Sequence, residues 1–334
     1  MARKHPRLMM IPADQVFTSM NEYGRLHKPF IFSIDFGVKN GFFVEPGHAE
    51  EHGIFFRING FSNFQKSAGY ESKPVKISKT PVKKSVYDHA FNTVEQNLVA
   101  GNSYLTNLTF PTSIKLNIDL PDVFARSNAK YCLLYKEDFI VFSPETFVQI
   151  RDGRISSFPM KGTIDASLPD AERVILTDPK ETAEHNTIVD LIRNDLSMVA
   201  DDVRVDRFRY IERINTHEKT LLQVSSEISG VLPRNYNAEL GSIFKALLPA
   251  GFISGAPKAK TLEIIQEAET YSRGFYTGVF GHFDGANLDS GVMIRFIENK
   301  DGELTFYSGG GITVNSNPDD EYNELIDKVY VPFI

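Results

Sequence analysis

Apolar residues in this chain fall first into short, dense runs. Segments 30–36, 54–58, 103–110, 131–135 and 139–142 are rich in Phe, Tyr, Ile and Leu and too short for buried helices, so they predict strands. One segment among them changes period. Over 85–100, Phe91, Val94 and Leu98 share a helical face, with Ser85 as the expected cap and Gly101 as the stop. Later segments alternate helices and strands. Asp178-Pro179-Lys180-Glu181 is a helix start with an N-cap acid, and Ile188, Leu191, Ile192 and Val199 continue it as an apolar stripe. Leu240, Ile243, Phe244 and Leu247 predict a helix over 239–248, and another runs from near Pro257 to Gly274. Strands are expected at 277–283, 292–297 and 303–307, and a last helix begins at Pro318. There is no regular strand–helix alternation and no nucleotide fingerprint. The expected fold class is α+β with large antiparallel sheets.

Composition narrows the function. A chain of 334 residues holds one large domain or two ordinary ones and can bury a large core without staples. A net charge of −7 argues against an extended nucleic-acid footprint. A small anionic substrate would need local cations, a helix N-terminus or a metal ion. The single cysteine, Cys132, lies in an apolar run and reads as a core residue, with no disulfide possible within the chain. Residues 1–12 are basic but lack a long apolar run, so neither signal peptide nor membrane span is expected, and the expected location is the cytoplasm. Residues 65–84, rich in Lys, Ser and Pro, are the candidate mobile loop.

Five constellations can carry chemistry. Lys161 lies in a Phe-Pro-Met-Lys-Gly-Thr run whose Gly162-Thr163 pair is expected to end the strand. An amine in apolar surroundings loses solvation, its pKa tends to fall, and it can become a nucleophile, although most lysines are solvated surface charges. Glu181, Glu184 and His185 share one face of the helix that starts at Asp178. Glu181 fits a capping box, whereas Glu184 is equally a surface acid or a functional one. Glu321, Glu324 and Lys328 share a face of the last helix, either as a solvated face with a Glu324–Lys328 pair or as one side of a hard-cation site, for which Mg²⁺ suits carboxylates. Ser308-Gly309-Gly310-Gly311-Ile312 is either a sheet-edge turn or a loop whose N–H groups meet an anion. The turn 249–258 feeds a helix whose free N–H groups, with the Ser254 hydroxyl, can receive a carboxylate. Arg273 and Tyr276 follow it, and Arg295 in an apolar strand is expected to bind an anion or a buried acid.

Taken together, these runs resemble the chorismate-utilising enzymes, the group that includes anthranilate, aminodeoxychorismate, isochorismate and salicylate synthases. The segments are Ser143-Pro144-Glu145, the Pro-Met-Lys-Gly-Thr run, Lys180 to His185 with 188–196, 249–258, Arg273-Gly274-Phe275-Tyr276, and Gly309 through Glu324, in the family's order. The resemblance implies a single chorismate-binding catalytic domain over 1–334, with shortened N-terminal strands and a loop in 1–84 and the catalytic motifs in 85–334. It implies two antiparallel sheets packed as a sandwich with helices outside. Glu184 and Glu324 would be Mg²⁺ ligands, with Glu181 and Glu321 close by. Tyr276, Arg295 and the Gly311 amide would hold the enolpyruvyl carboxylate. Ser254 would sit near the substrate, Lys328 would bind it, Lys258 would bind and support the anion-rich site, and Glu145 would be the acid that helps the 4-hydroxyl leave.

Lys161 discriminates within that family. The anthranilate and isochorismate enzymes usually carry Ala there, and the aminodeoxychorismate synthases carry Lys. The resemblance therefore implies amination of chorismate to 4-amino-4-deoxychorismate, a folate precursor, by component I of such a synthase through a covalent Lys161 intermediate. Ammonia would come from a separate glutamine amidotransferase subunit. The alternatives are anthranilate synthase component I and a catalytically silent chorismate-binding regulatory subunit. Leu105 stands where the hydroxylating members carry a water-activating Lys, which argues against hydroxylation at C2. Gln223 replaces a common His and Ser254 a commoner Thr. No tryptophan-binding run is recognisable, so tryptophan feedback is not expected.

Overall fold

Full burial on both faces explains the dense apolar runs. In the computed structural model, which describes residues 10–65, 75–215 and 220–331, strands Phe30–Ile34, Tyr131–Tyr135 and Phe139–Ser143 are buried at every position. A strand covered on both sides has no polar face to alternate with. The described strands form two sheets of ten and nine strands. In the first, Phe30–Ile34 pairs with Val279–Phe283, then come Leu288–Val292, Thr146–Arg151, Arg154–Ser157, Thr220–Val231 and Met160–Asp165. In the second, Leu105–Leu116, Glu303–Ile312, Phe296–Lys300, Phe139–Ser143, Tyr131–Tyr135 and Ile54–Ile58 lie side by side. All these pairings are antiparallel.

Ile31, Phe42 and Phe280 of the first sheet meet Phe56, Tyr131 and Leu133 of the second in the layer between them. Helices cover the outer faces. Ala13–Arg25, Pro179–Ser197 and Leu240–Leu247 pack on the first sheet, and Lys84–Val99, Lys258–Ala268, Pro318–Asp327 and Leu120–Arg126 on the second. This is the α+β sandwich with helices outside that the resemblance implied. No helix among the described residues is long and apolar enough to cross a membrane.

Several local expectations change. The first part contains helices Ala13–Arg25 and Leu120–Arg126 besides the expected one. The expected one begins at Lys84, so Ser85 lies inside it and Lys83 is its N-cap, without a side-chain cap. In the candidate mobile loop, Ile77–Thr80 is a strand on Leu105–Leu116, while residues 66–74, like residues 1–9 of the basic terminus, lie outside the described residues. The helix expected to reach Gly274 stops at Ala268. The strand expected over 292–297 is two strands in different sheets, joined by Met293, Ile294 and Arg295, with Arg295 at φ +52°.

That joint and a second one frame the site. Chain leaves the second sheet after Ser143 and enters the first at Thr146, passing through Pro144 and Glu145. The two crossings run side by side: Val292 N–H donates to the Glu145 carbonyl at 3.1 Å, and Phe142 N–H donates to the Arg295 carbonyl at 3.1 Å. Glu145 and Arg295 therefore stand together at the junction of the two sheets.

An ion pair with both side chains 2% exposed ties the neighbouring segments. Arg273 contacts Glu269 at 2.6 Å. Its guanidinium also donates to the Asn107 carbonyl at 2.6 Å and the Ile253 carbonyl at 3.3 Å, and its plane lies over the Phe36 ring. Glu269 in turn accepts from the Thr109 N–H and hydroxyl. Removing one partner of such a pair strands the other charge away from water. Arg273→Met is expected to lose about 3–5 kcal/mol of stability, and Glu269→Gln/Arg273→Met to lose less than that single variant. Thermal unfolding checks both. A single variant that melts with the parent would remove the anchoring role.

Candidate active site

The N-terminal turn of helix Pro179–Ser197 is built as its sequence indicates. The Asp178 carboxylate accepts from the Glu181 N–H at 2.8 Å, and Pro179 occupies the first position. Glu184 follows one turn later and is buried at 5% exposure. Lys161, on the strand packed beneath, places its ammonium 2.6 Å from a Glu184 carboxylate oxygen. Burial alone would pull the Lys161 pKa down, as expected from its apolar neighbours. The Glu184 charge and hydrogen bond, helped by Glu181 and Glu324, outweigh that penalty and hold it above its ordinary value. The expected direction is thus reversed: this amine is an ammonium at neutral pH. The Gly162-Thr163 pair does not end the strand either, which continues to Asp165.

The last helix faces this pair from the other sheet. Asn317 caps it, and the Lys328 ammonium bridges Glu324 at 2.6 Å and the Gly309 carbonyl at 2.8 Å. Glu321 is buried and accepts from the Ser316 hydroxyl, whereas the Glu324 side chain is 50% exposed. The triple glycine is neither a turn nor a free anion loop. Gly309, Gly310 and Gly311 extend strand Glu303–Ile312 and pair with Thr109, Leu108 and Asn107. A Cβ on Gly310 would come within 3.3 Å of a Glu321 carboxylate oxygen, and one on Gly311 within 2.9 Å of Leu105. The glycines let the acidic helix and Leu105 lie directly on the backbone.

Between the two acidic helices stands Glu145, half-buried at the sheet junction. Burial pushes its carboxyl up to about 7, against the pull of Arg295, Lys328 and Lys161. The Arg295 Nε–H is buried and makes no hydrogen bond among the described residues, and its guanidinium lies 5.2 Å from the Tyr330 ring centroid. Tyr276 is buried against Tyr307, and burial raises its phenol pKa. Hence Lys161, Glu145, Glu184, Glu324, Lys328 and Arg295 form one electrostatic group, with Glu181 and Glu321 at its edges.

Two expected members have partners within the chain. Ser254 is fully buried and its hydroxyl donates to the Ala250 and Gly251 carbonyls, at the start of the four-residue helix Gly251–Ser254. Lys258 contacts Asp195 at 3.1 Å and the Leu247 carbonyl, which ties the Glu184 helix to the segment carrying Ser254. Two supports have partners that the sequence does not show. His185, 1% exposed, contacts the Ser226 hydroxyl at 2.7 Å, and burial with the Arg209 charge pushes its pKa down to about 4, so it is neutral. The Glu269–Arg273 pair was visible only as an i, i+4 spacing.

The acids suit a hard cation. One Glu184 carboxylate oxygen is buried without a hydrogen bond among the described residues, and the available donors are all carboxylate oxygens, the set Mg²⁺ prefers over zinc. Among the described residues no three His, Cys, Asp or Glu side chains are gathered into a ready cage, since Lys161 and Lys328 stand against the acids.

Known proteins are similar to this chain. An uncharacterized PabA-like protein of Pasteurella multocida is 51% identical over 93% of this chain and 96% of its own length. Anthranilate synthase component 1 of Aquifex aeolicus is 37% identical over 56% of this chain and 38% of its own, and aminodeoxychorismate synthase component 1 of Klebsiella aerogenes is 32% identical over 73% and 56%. The structure of a menaquinone-specific isochorismate synthase from Escherichia coli matches 96% of this chain and 82% of that one, with a TM-score of 0.74 at 16% identity, which speaks for the fold alone. The family model of chorismate binding enzymes matches residues 56–333. With that span and a relative so similar along nearly its whole length, the chain belongs to the chorismate binding enzyme family.

Proposed function

We propose that this protein aminates chorismate at C4, as component I of an aminodeoxychorismate synthase supplied with ammonia by a glutamine amidotransferase subunit. The observation that carries the reading is the Lys161 ammonium held 2.6 Å from Glu184, inside the group that contains Glu145. An amine at that place is a nucleophile the reaction can use. Neutral Lys161 attacks C2 of chorismate as the C4–O bond breaks, and Glu145 gives its proton to the leaving hydroxyl. Ammonia then forms the C4–N bond, the C2–N bond to Lys161 breaks, and water is the other product. Arg295, with its unsatisfied buried N–H, and Tyr276 suit the enolpyruvyl carboxylate. Mg²⁺ held by Glu184 and Glu324, with Glu181 and Glu321 beside them, would supply the charge that neutralises the ring carboxylate and the acids. Leu105 packs beneath Gly311 and offers no base to activate water.

The relatives' names support a partner: two similar chains are called PabA-like, and one relative is named aminodeoxychorismate synthase component 1. Anthranilate synthase component I remains the second reading, favoured by the 37% identity of the Aquifex enzyme. Product identity separates them. Chorismate with an ammonium salt and Mg²⁺ should give 4-amino-4-deoxychorismate, and fluorescent anthranilate as sole product would sink the proposal. Lys161→Ala should lose C4 amination or divert it to C2; unchanged C4 amination would remove the covalent route.

Protonation gives a further test. Attack needs neutral Lys161 and protonated Glu145, whereas the state favoured above pH 7 is ammonium and carboxylate. Both states carry one proton, so the share of the reactive form does not change with pH while the pair holds that one proton. Below the Glu145 pKa of about 7 both groups are protonated and that form grows scarce. Turnover should therefore rise with pH up to about 7 and then level. Glu145→Gln should be slower by about 10²–10⁴ and still climbing at pH about 9. A wild-type rate that falls between pH about 7 and 9 contradicts this scheme.

A further inference from the structure

Strand Met160–Asp165 is irregular at the nucleophile. Met160 pairs with Ser225 and Thr163 with Gln223, so Lys161 and Gly162 together oppose the single residue Val224. Such a bulge re-aims a side chain and bends its strand. Here it turns two consecutive residues toward helix Pro179–Ser197, where Glu181 and Glu184 stand one turn apart. Lys161 meets Glu184. A Cβ added to Gly162 would stand 3.1 Å from a Glu181 carboxylate oxygen and 3.5 Å from Ile175. Gly162 also has φ +86°, where side chains are strained. Conformation favours glycine, and any added side chain would crowd the Glu181 carboxylate.

We propose that Gly162 is a positioning residue: its bulge aims Lys161 at Glu184, and its missing side chain seats the Glu181 carboxylate beside that pair. Only the kinetic consequence rests on Lys161 being the nucleophile. The contact itself can be read without turnover, by labelling the full chain with a limiting amine-reactive ester and quantifying the Lys161 peptide. Gly162→Ala should label Lys161 several-fold faster than the parent. With chorismate and ammonium, its kcat should fall about 10- to 100-fold while KM changes little, the pattern of a misaimed group rather than lost binding. Gly302→Ala, at φ +90° with nothing within 4 Å of the added carbon, carries the same backbone strain in a distant turn and should leave labelling and turnover unchanged. Should the alanine variant fail to fold, Gly162→Asn accepts positive φ and still places a Cβ against Glu181. Parental labelling of Lys161 in a folded Gly162 variant overturns the proposal. Faster labelling with unaltered turnover upholds it and removes Lys161 as the nucleophile instead.

Discussion

A guanidinium shut away from water must satisfy its donors with protein, and Arg273 does so with groups from across the chain. Glu269 supplies the opposite charge, and the carbonyls of Asn107 and Ile253 take further N–H groups. Each acceptor belongs to a segment that touches the site. Asn107 pairs with Gly311, Ile253 precedes Ser254, and Arg273 itself leads into Tyr276. One buried cation thus fixes three backbone paths relative to one another. Buried ion pairs are poor sources of net stability because desolvation offsets their attraction. Their benefit here is geometric: alternative packings of these segments would leave a charge unpaired.

The site itself rests on opposed charge. Acidic side chains come from two helices on different sheets, and each helix meets an ammonium: Lys161 against Glu184, Lys328 against Glu324. Without these lysines the acids would repel one another across a poorly solvated space. Glu145 is left as the group whose protonation lies near neutrality, because burial raises its carboxyl while three nearby cations restrain that rise. Acid and amine thus owe their opposite roles to surroundings rather than to residue type.

Much of the fold was legible because burial leaves a mark in sequence. Strands covered on both faces appear as unbroken apolar runs, and Asp178-Pro179 and Asn317-Pro318 announce their helices. Helix Ala13–Arg25 was hidden because two of its buried positions are small, Ala13 and Gly24, and it leans on backbone contacts such as Gly241 against Phe17. The triple glycine looked like a loop because the strand that pairs with it lies about two hundred residues earlier in the chain. The site's residue types could be read from motifs, but not the direction of the Lys161 pKa. That sign depends on which carboxylate ends up within hydrogen-bond reach, a fact of tertiary structure. Ser254 and Lys258 likewise have partners that the motif did not show: the Ala250 carbonyl and Asp195.

The twin crossings between the sheets have a mechanical meaning. Glu145 and Arg295 lie on tethers only two and three residues long, strung between two stiff layers and laced to each other by backbone hydrogen bonds. Their separation therefore follows the spacing and shear of the layers rather than the wandering of a loop. Side chains such as Phe280 and Tyr131, which fill the gap between the sheets, act as shims for the acid and the cation at its edge. In this architecture, interior packing becomes a tuning adjustment for the chemistry, reachable by substitutions remote from any ligand.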